Sequence, residues 1–129
     1  MNYETLTVNI KNHIAHVSLN RPKKVNALNQ TAWEEIKDVF ERLSDTPEAR
    51  VVVISGEGKH FCAGIDLGLL MSIRQKTHDD CEGRMREKLR KMVFYLQAPL
   101  NAIEQCSKPV LATIHGGCIG ARLDLACTC

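Results

Sequence analysis

The sequence predicts an α/β layer fold, and three observations predict it. Apolar residues alternate with period two in short runs, they recur with helical spacing in the longer runs between, and glycine-bearing segments stand where strands hand over to helices. Strands alternating with helices imply right-handed crossovers, with ligands held near the carboxyl ends of the strands. At 129 residues, 44% of them hydrophobic and 25% charged, the chain is long enough for one core and too short for two, so residues 1–129 are expected to belong to a single domain.

Each element has its own local cause. Leu6, Val8 and Ile10 alternate with polar neighbours, and Ala15, Val17 and Leu19 alternate with Ile14, His16 and Ser18. With Lys11-Asn12-His13 between them, the two runs read as a β-hairpin. Asn20-Arg21-Pro22-Lys23-Lys24 breaks the pattern. Thr31 followed by Glu34 reads as a capping box for a helix that carries Trp33, Ile36, Val39, Phe40 and Leu43 on one face and ends near Pro47. The β-branched run Val51-Val52-Val53-Ile54 predicts a strand covered on both faces, ended by Gly56-Glu57-Gly58. Met85, Leu89, Met92, Val93, Leu96, Leu100 and Ile103 keep helical spacing, and Pro99 among them predicts a kink or a split. Val110 to Ile114 reads as another strand, His115-Gly116-Gly117 as a turn, and Gly120 onward as helix-compatible.

Composition removes several function classes. A net charge of +2 is too small for a nucleic-acid surface, and the basic run Arg84, Arg86, Lys88, Arg90, Lys91 is interleaved with Glu82 and Glu87. Its expected state is a solvated helix face, with attraction of an anionic ligand as the alternative. The first eight residues are polar and lack a signal-peptide core, so the six cysteines are expected as free thiols in a reducing compartment. That points to the cytoplasm, with a mitochondrial or peroxisomal matrix left open. No CxxC pair is present, no metal site is expected, and no apolar run approaches membrane-spanning length. The Cys127-Thr128-Cys129 end is neither a prenylation box nor a Ser-Lys-Leu peroxisomal signal.

Two strand-loop-helix units echo each other. The first runs Val51 to Gly56 and then Phe61-Cys62-Ala63-Gly64-Ile65-Asp66-Leu67; the second runs Val110 to Ile114 and then Gly116-Gly117-Cys118-Ile119-Gly120-Ala121-Arg122-Leu123-Asp124. Small residues at a helix start let a ligand approach the backbone, where unpaired N–H groups and the positive end of the helix dipole point outward. Two such starts facing each other would make an oxyanion hole. Neither loop has the Lys-Ser/Thr pair of a P-loop, and Gly56-Glu57-Gly58-Lys59-His60-Phe61 lacks the third glycine of a dinucleotide fingerprint. Taken singly, each loop is also compatible with an ordinary tight turn. His60 and His115, which flank the loops, read as loop histidines.

Longer strings carry a resemblance. Asn20-Arg21-Pro22 with Asn26-Ala27-Leu28, Val53-Ile54-Ser55-Gly56, Phe61 to Leu67, and His115-Gly116-Gly117-Cys118-Ile119-Gly120 with Asp124-Leu125 are together similar to the crotonase (enoyl-CoA hydratase/isomerase) superfamily. The first loop and the start of the second most resemble the dienoyl-CoA isomerases. The resemblance covers the whole chain and about the first half of the family's catalytic domain. It implies the crotonase-like spiral of β-β-α units, broken off here after the second oxyanion-hole loop.

What the resemblance implies for chemistry is specific. The family binds acyl-CoA thioesters and holds the enolate that forms when a proton leaves the carbon beside the carbonyl. The two donors would be the N–H groups of Ala63 and Ala121, and such donors commonly contribute about 3 to 4 kcal/mol each. Ala63, Gly64, Ile65, Asp66, Leu67 and Ala121 would line the substrate. Asp124 falls where hydratases place a glutamate and dienoyl isomerases an aspartate, which implies double-bond isomerisation in fatty-acid β-oxidation, with hydration on the same fold as the alternative. Asp66 is also explained by helix capping alone, and Asp124 by the helix dipole. No separate cofactor is implied, because coenzyme A arrives with the substrate. Full-length members usually form trimers or hexamers. The family's further acids fall beyond Cys129, so a non-catalytic chain that binds acyl-CoA or pairs with complete subunits is a third expectation. Where members commonly have three glycines, this chain has Gly120-Ala121-Arg122.

Overall fold

The link Asn12-His13 sets the register of the first two strands. Both residues have positive φ, 52° and 65°, as a two-residue type I′ hairpin turn requires. Strand β1 (Leu6–Lys11) therefore pairs antiparallel with β2 (Ile14–Leu19), Leu6 opposite Leu19. In this computed structural model, which describes residues 1–116 and 120–129 apart from the side chains of residues 121 and 122, the predicted α/β layering is present. Helix α1 (Gln30–Ser44) leads to β3 (Val51–Gly56), parallel to β2; α2 (Leu67–Thr77) and α3 (Glu82–Glu104) lead to β4 (Val110–Ala112), parallel to β3; α4 (Ala121–Cys127) follows. The four strands lie in sequence order in one sheet, β1-β2-β3-β4.

The apolar stripe of α1 behaves as its spacing predicts: Trp33, Ile36, Val39, Phe40 and Leu43 are all buried. They join Ala15, Val17 and Leu19 of β2 and Val52 and Ile54 of β3 in one core. The predicted cap needs correcting. Asn29, not Thr31, is the N-cap, and its side chain accepts a hydrogen bond from the Ala32 N–H at 2.9 Å. The reason is non-local: Leu28 is held extended by a bridge to Ile65, so the chain first turns helical after Asn29. The β-branched run of β3 is fully covered on one face only, since Val52 and Ile54 are buried while Val51 and Val53 keep partial exposure.

Pro99 does not split α3. The helix runs unbroken from Glu82 to Glu104 with Pro99 buried inside it. A proline leaves the carbonyl four residues earlier without its donor and crowds that turn. On the same turn the Trp33 indole reaches across from α1 and donates to the Leu96 carbonyl at 3.0 Å, so tertiary contacts hold the segment where local propensity would release it. Nearby, burial and a 2.8 Å hydrogen bond to Glu34 push the Tyr95 hydroxyl up to about 12. The first half of α3 differs: Met85, Leu89 and Val93 are exposed although they continue the helical spacing. The basic run there is the solvated face expected, with Arg84 and Lys88 on Asp79, Arg86 on Glu82 and Arg90 on Glu87. No helix among the described residues is long and apolar enough to cross a membrane.

Replacing Asn29 with Ala should lower stability by about 1 kcal/mol, the usual cost of losing an N-cap side chain. Thr31→Ala should leave urea unfolding almost unchanged; the reverse order of effects would restore Thr31 as the cap.

Candidate active site

The carboxyl end of β3 is shaped by close backbone packing. A Cβ on Gly56 would lie 2.2 Å from the Phe61 carbonyl oxygen, so only glycine lets residues 57–61 fold back onto the strand end. A buried side chain holds that fold. Asn26 is 2% exposed, and its Nδ2 lies 2.7 Å from the Glu57 carbonyl oxygen, 3.0 Å from that of His60 and 3.2 Å from that of Phe61. Its Oδ1 accepts from the Arg21 N–H at 2.8 Å, and its own N–H donates to the Arg21 carbonyl at 2.9 Å.

The next residues form the wall of the site. The Cys62 thiol lies 3.2 Å from the Asn26 carbonyl oxygen, to which it donates, and its sulfur accepts from the Gly64 N–H at 3.3 Å. Gly64 has φ 94°, a conformation glycine adopts without strain. Its carbonyl accepts from the Leu28 N–H at 2.8 Å, and the Asp66 N–H donates to the Leu28 carbonyl at 2.9 Å. The Gly64 and Asp66 donors are thus taken, while the N–H groups of Ala63 and Ile65 have no partner among the described residues. Asp66 caps α2, accepting from the Gly68 N–H at 2.8 Å, and lies 3.6 Å from the Arg21 guanidinium, which also donates to the Ala27 carbonyl. A cavity of about 540 Å³ opens over this wall, lined by Ala63, Ile65, Asp66 and Leu67 with Lys24 and Ala27 across from them.

The second loop is bonded to the first. Thr113 N–H donates to the Ile54 carbonyl and Phe61 N–H to the His115 carbonyl, both at 2.9 Å. The His115 ring Nε2 is 2.8 Å from the Gly58 carbonyl oxygen. Gly116 has φ +73°, and a Cβ there would sit 2.3 Å from His60 Nδ1. Both histidines therefore act as loop-packing residues. Beyond Gly116, residues Gly117, Cys118 and Ile119 lie outside the described residues, as do the side chains of Ala121 and Arg122.

Ala121 opens α4 and Asp124 occupies its first turn, exposed, its carboxylate without a hydrogen bond or ion pair among the described residues. Leu125, the next residue, is fully buried in the same core as Phe61 and Cys62. The structure thus brings Ala63, Gly64, Ile65, Asp66 and Leu67 into one wall and carries Ala121 and Asp124 on a separate element. Among the described residues, no three His, Cys, Asp or Glu side chains converge as a metal site.

Sequence reasoning missed Asn26, Cys62, Arg21 and Lys24 as parts of the site. Asn20-Arg21-Pro22 and Asn26-Ala27-Leu28 carried Arg21 and Asn26, and Phe61 to Leu67 carried Cys62, but only as family strings. An asparagine between short breakers is a candidate for the left-handed region, and Asn26 indeed has φ 55°.

A mixed sheet with two loops bonded to each other at the carboxyl ends of parallel strands, one of them carrying backbone N–H groups without a partner among the described residues beside an open cavity, is the architecture of the crotonase fold. The chain belongs to the enoyl-CoA hydratase/isomerase family, whose model matches residues 9–129. It is 42% identical over 129 residues to the mitochondrial Delta(3,5)-Delta(2,4)-dienoyl-CoA isomerase of Mus musculus, covering 99% of this chain and 39% of that protein. It is 43% identical to the peroxisomal Delta(3,5)-Delta(2,4)-dienoyl-CoA isomerase of Arabidopsis thaliana, covering 98% and 47%. Among solved structures, an enoyl-CoA hydratase/carnithine racemase from Magnetospirillum magneticum superposes with a TM-score of 0.84 at 29% identity, covering 99% of this chain and 45% of that one. The chain therefore spans less than half the length of each.

Gly56→Ala is expected to cost about 3 kcal/mol, the upper end of overpacking, because the contact is with backbone that cannot rotate away. An unchanged denaturation midpoint would show that the loop does not fold back on β3.

Proposed function

We propose that this chain is the N-terminal part of a single-domain acyl-CoA isomerase that moves the double bonds of a 3,5-dienoyl-CoA into conjugation with the thioester. The observation that carries the reading is the Ala63 N–H, which has no partner among the described residues and belongs to a residue that lines an open cavity. A thioester oxygen placed there meets a preorganised donor at no reorganisation cost. Ala121, at the start of α4, supplies the second N–H of the pair.

The reaction needs one proton to leave the carbon beside the carbonyl and one to arrive at the far end of the diene, with the enolate oxygen held between. Asp124 handles a proton at one end. A further acid, from sequence beyond Cys129, serves the other. Gly64, Ile65, Asp66 and Leu67 line the thioester end, and Lys24 at the same cavity supplies a cation for the phosphates that any CoA ester carries. Coenzyme A enters with the substrate, and no other cofactor is assigned. The complete protein assembles as a trimer or hexamer. Relatives named as mitochondrial and peroxisomal favour an organelle matrix over the cytoplasm as its place of work.

The test is an absorbance assay on the full-length protein. Growth of the conjugated-diene band from a 3,5-dienoyl-CoA is expected; water addition to an enoyl-CoA without isomerisation would overturn the reading in favour of a hydratase. In the same assay Asp124→Asn should lower kcat by about 100-fold or more with KM little changed, the loss typical of removing a proton-transfer group. Near-wild-type turnover would return Asp124 to the role of a helix-dipole residue.

A further inference from the structure

Cys62 is a buried thiol that the proposed reaction does not use, yet two of its hydrogen bonds fall on backbone groups that shape the site. Its S–H is directed to the Asn26 carbonyl and its lone pair receives the Gly64 N–H. We propose that Cys62 is a positioning residue for the Ala63 donor, acting as the middle link of a relay from the Asn26 backbone to the Gly64 peptide. This rests on the isomerase reading only for its catalytic consequence.

Around Ala63 the backbone has two ways to turn its N–H groups, toward the protein or toward the cavity. Leu28 fixes the Gly64 carbonyl and the Asp66 N–H from one side. Without a partner for the Gly64 N–H, the peptide between Ala63 and Gly64 would remain free to rotate, because glycine at φ 94° gives little resistance of its own. The sulfur closes that freedom. It is itself immobile, since Cys62 is fully buried and the carbonyl it binds belongs to Asn26, whose side chain is tied to three carbonyls of the preceding loop. Rigidity in the Asn26 turn is thereby passed through one thiol to the peptide that follows the donor, and misplacing a donor by as little as about 1 Å can cost about 100-fold in rate.

Alanine and serine test this as a pair, because both remove the bulk of sulfur and only serine keeps a donor and an acceptor. In the full-length enzyme, Cys62→Ala is expected to lower kcat for dienoyl-CoA between about tenfold and about 100-fold, with KM within about threefold of wild type. Cys62→Ser should recover most of the loss. Hydrogen exchange at the Gly64 amide, read by NMR, should speed up in Cys62→Ala and return toward wild type in Cys62→Ser. Equal behaviour of the two variants in kcat and in Gly64 exchange, or a loss confined to KM, overturns the proposal. If the wild-type protein fails to isomerise dienoyl-CoA, the functional reading falls, and Gly64 exchange alone then decides whether Cys62 holds the peptide.

Discussion

Asn26 carries two costs at once, a desolvated carboxamide and a backbone at φ 55°. Left unmatched, a buried polar group of this kind costs about 1 to 3 kcal/mol. Here every hydrogen-bonding valence is answered: its amide group serves the carbonyls of residues 57, 60 and 61, its oxygen serves Arg21, and its own carbonyl receives the Cys62 thiol. Because those partners come from both sides of the site, satisfying Asn26 also fixes the distance between the turn at Arg21–Asn26 and the loop after β3. The left-handed backbone at Val25 and Asn26 persists because this network over-determines it.

The rest of the molecule supplies a stiff base for that network. Strands β2 and β3 pair along their whole length and are backed by the buried stripe of α1, so the carboxyl end of β3 emerges from the best-packed part of the chain. The second loop is not independent of the first, since Thr113 and His115 bind the end of β3 and the loop that follows it. Cover is uneven elsewhere. Helix α2 buries only Leu69, and Leu67, Leu70 and Met71 face solvent beside the cavity. The wall is therefore tied to the best-bonded part of the sheet, while the helix that leaves it is held chiefly by its cap and by α3.

Whether a feature was legible in the sequence depended on how local its cause is. The hairpin and the α1 stripe are written in adjacent residues and read correctly, except that Lys11 ends β1 and leaves Asn12-His13 alone as the turn. The cap moved from Thr31 to Asn29 because a bridge from Leu28 to Ile65, 37 positions further on, decides where the chain leaves its extended form. Pro99 leaves α3 unsplit for the same reason: the turn it sits in is held by Trp33 from another helix. At the site, the string Phe61 to Leu67 was visible as a segment, but the features that shape it, the carboxamide of Asn26 and the thiol of Cys62, had no pattern of their own. Residue identity was visible and the pairing was not.

The two aspartates at the two helix starts show how pairing separates residues that sequence leaves equivalent. Each sits in the first turn or cap of a helix that follows a glycine-bearing loop. Asp66 is committed: one oxygen accepts the Gly68 N–H, a cap contributing about 1 kcal/mol, and the other faces Arg21 at 3.6 Å, an interaction at a partly open site that adds at most about 1 kcal/mol. Asp124 has no such obligation among the described residues, and its exposed carboxylate stands apart from the core that Leu125 anchors. A group that must cycle between protonation states is better placed where the fold does not depend on its charge. On that ground Asp66 belongs to the architecture that keeps the Ala63 wall in place, and Asp124 is the one of the two whose carboxylate the fold, among the described residues, does not commit.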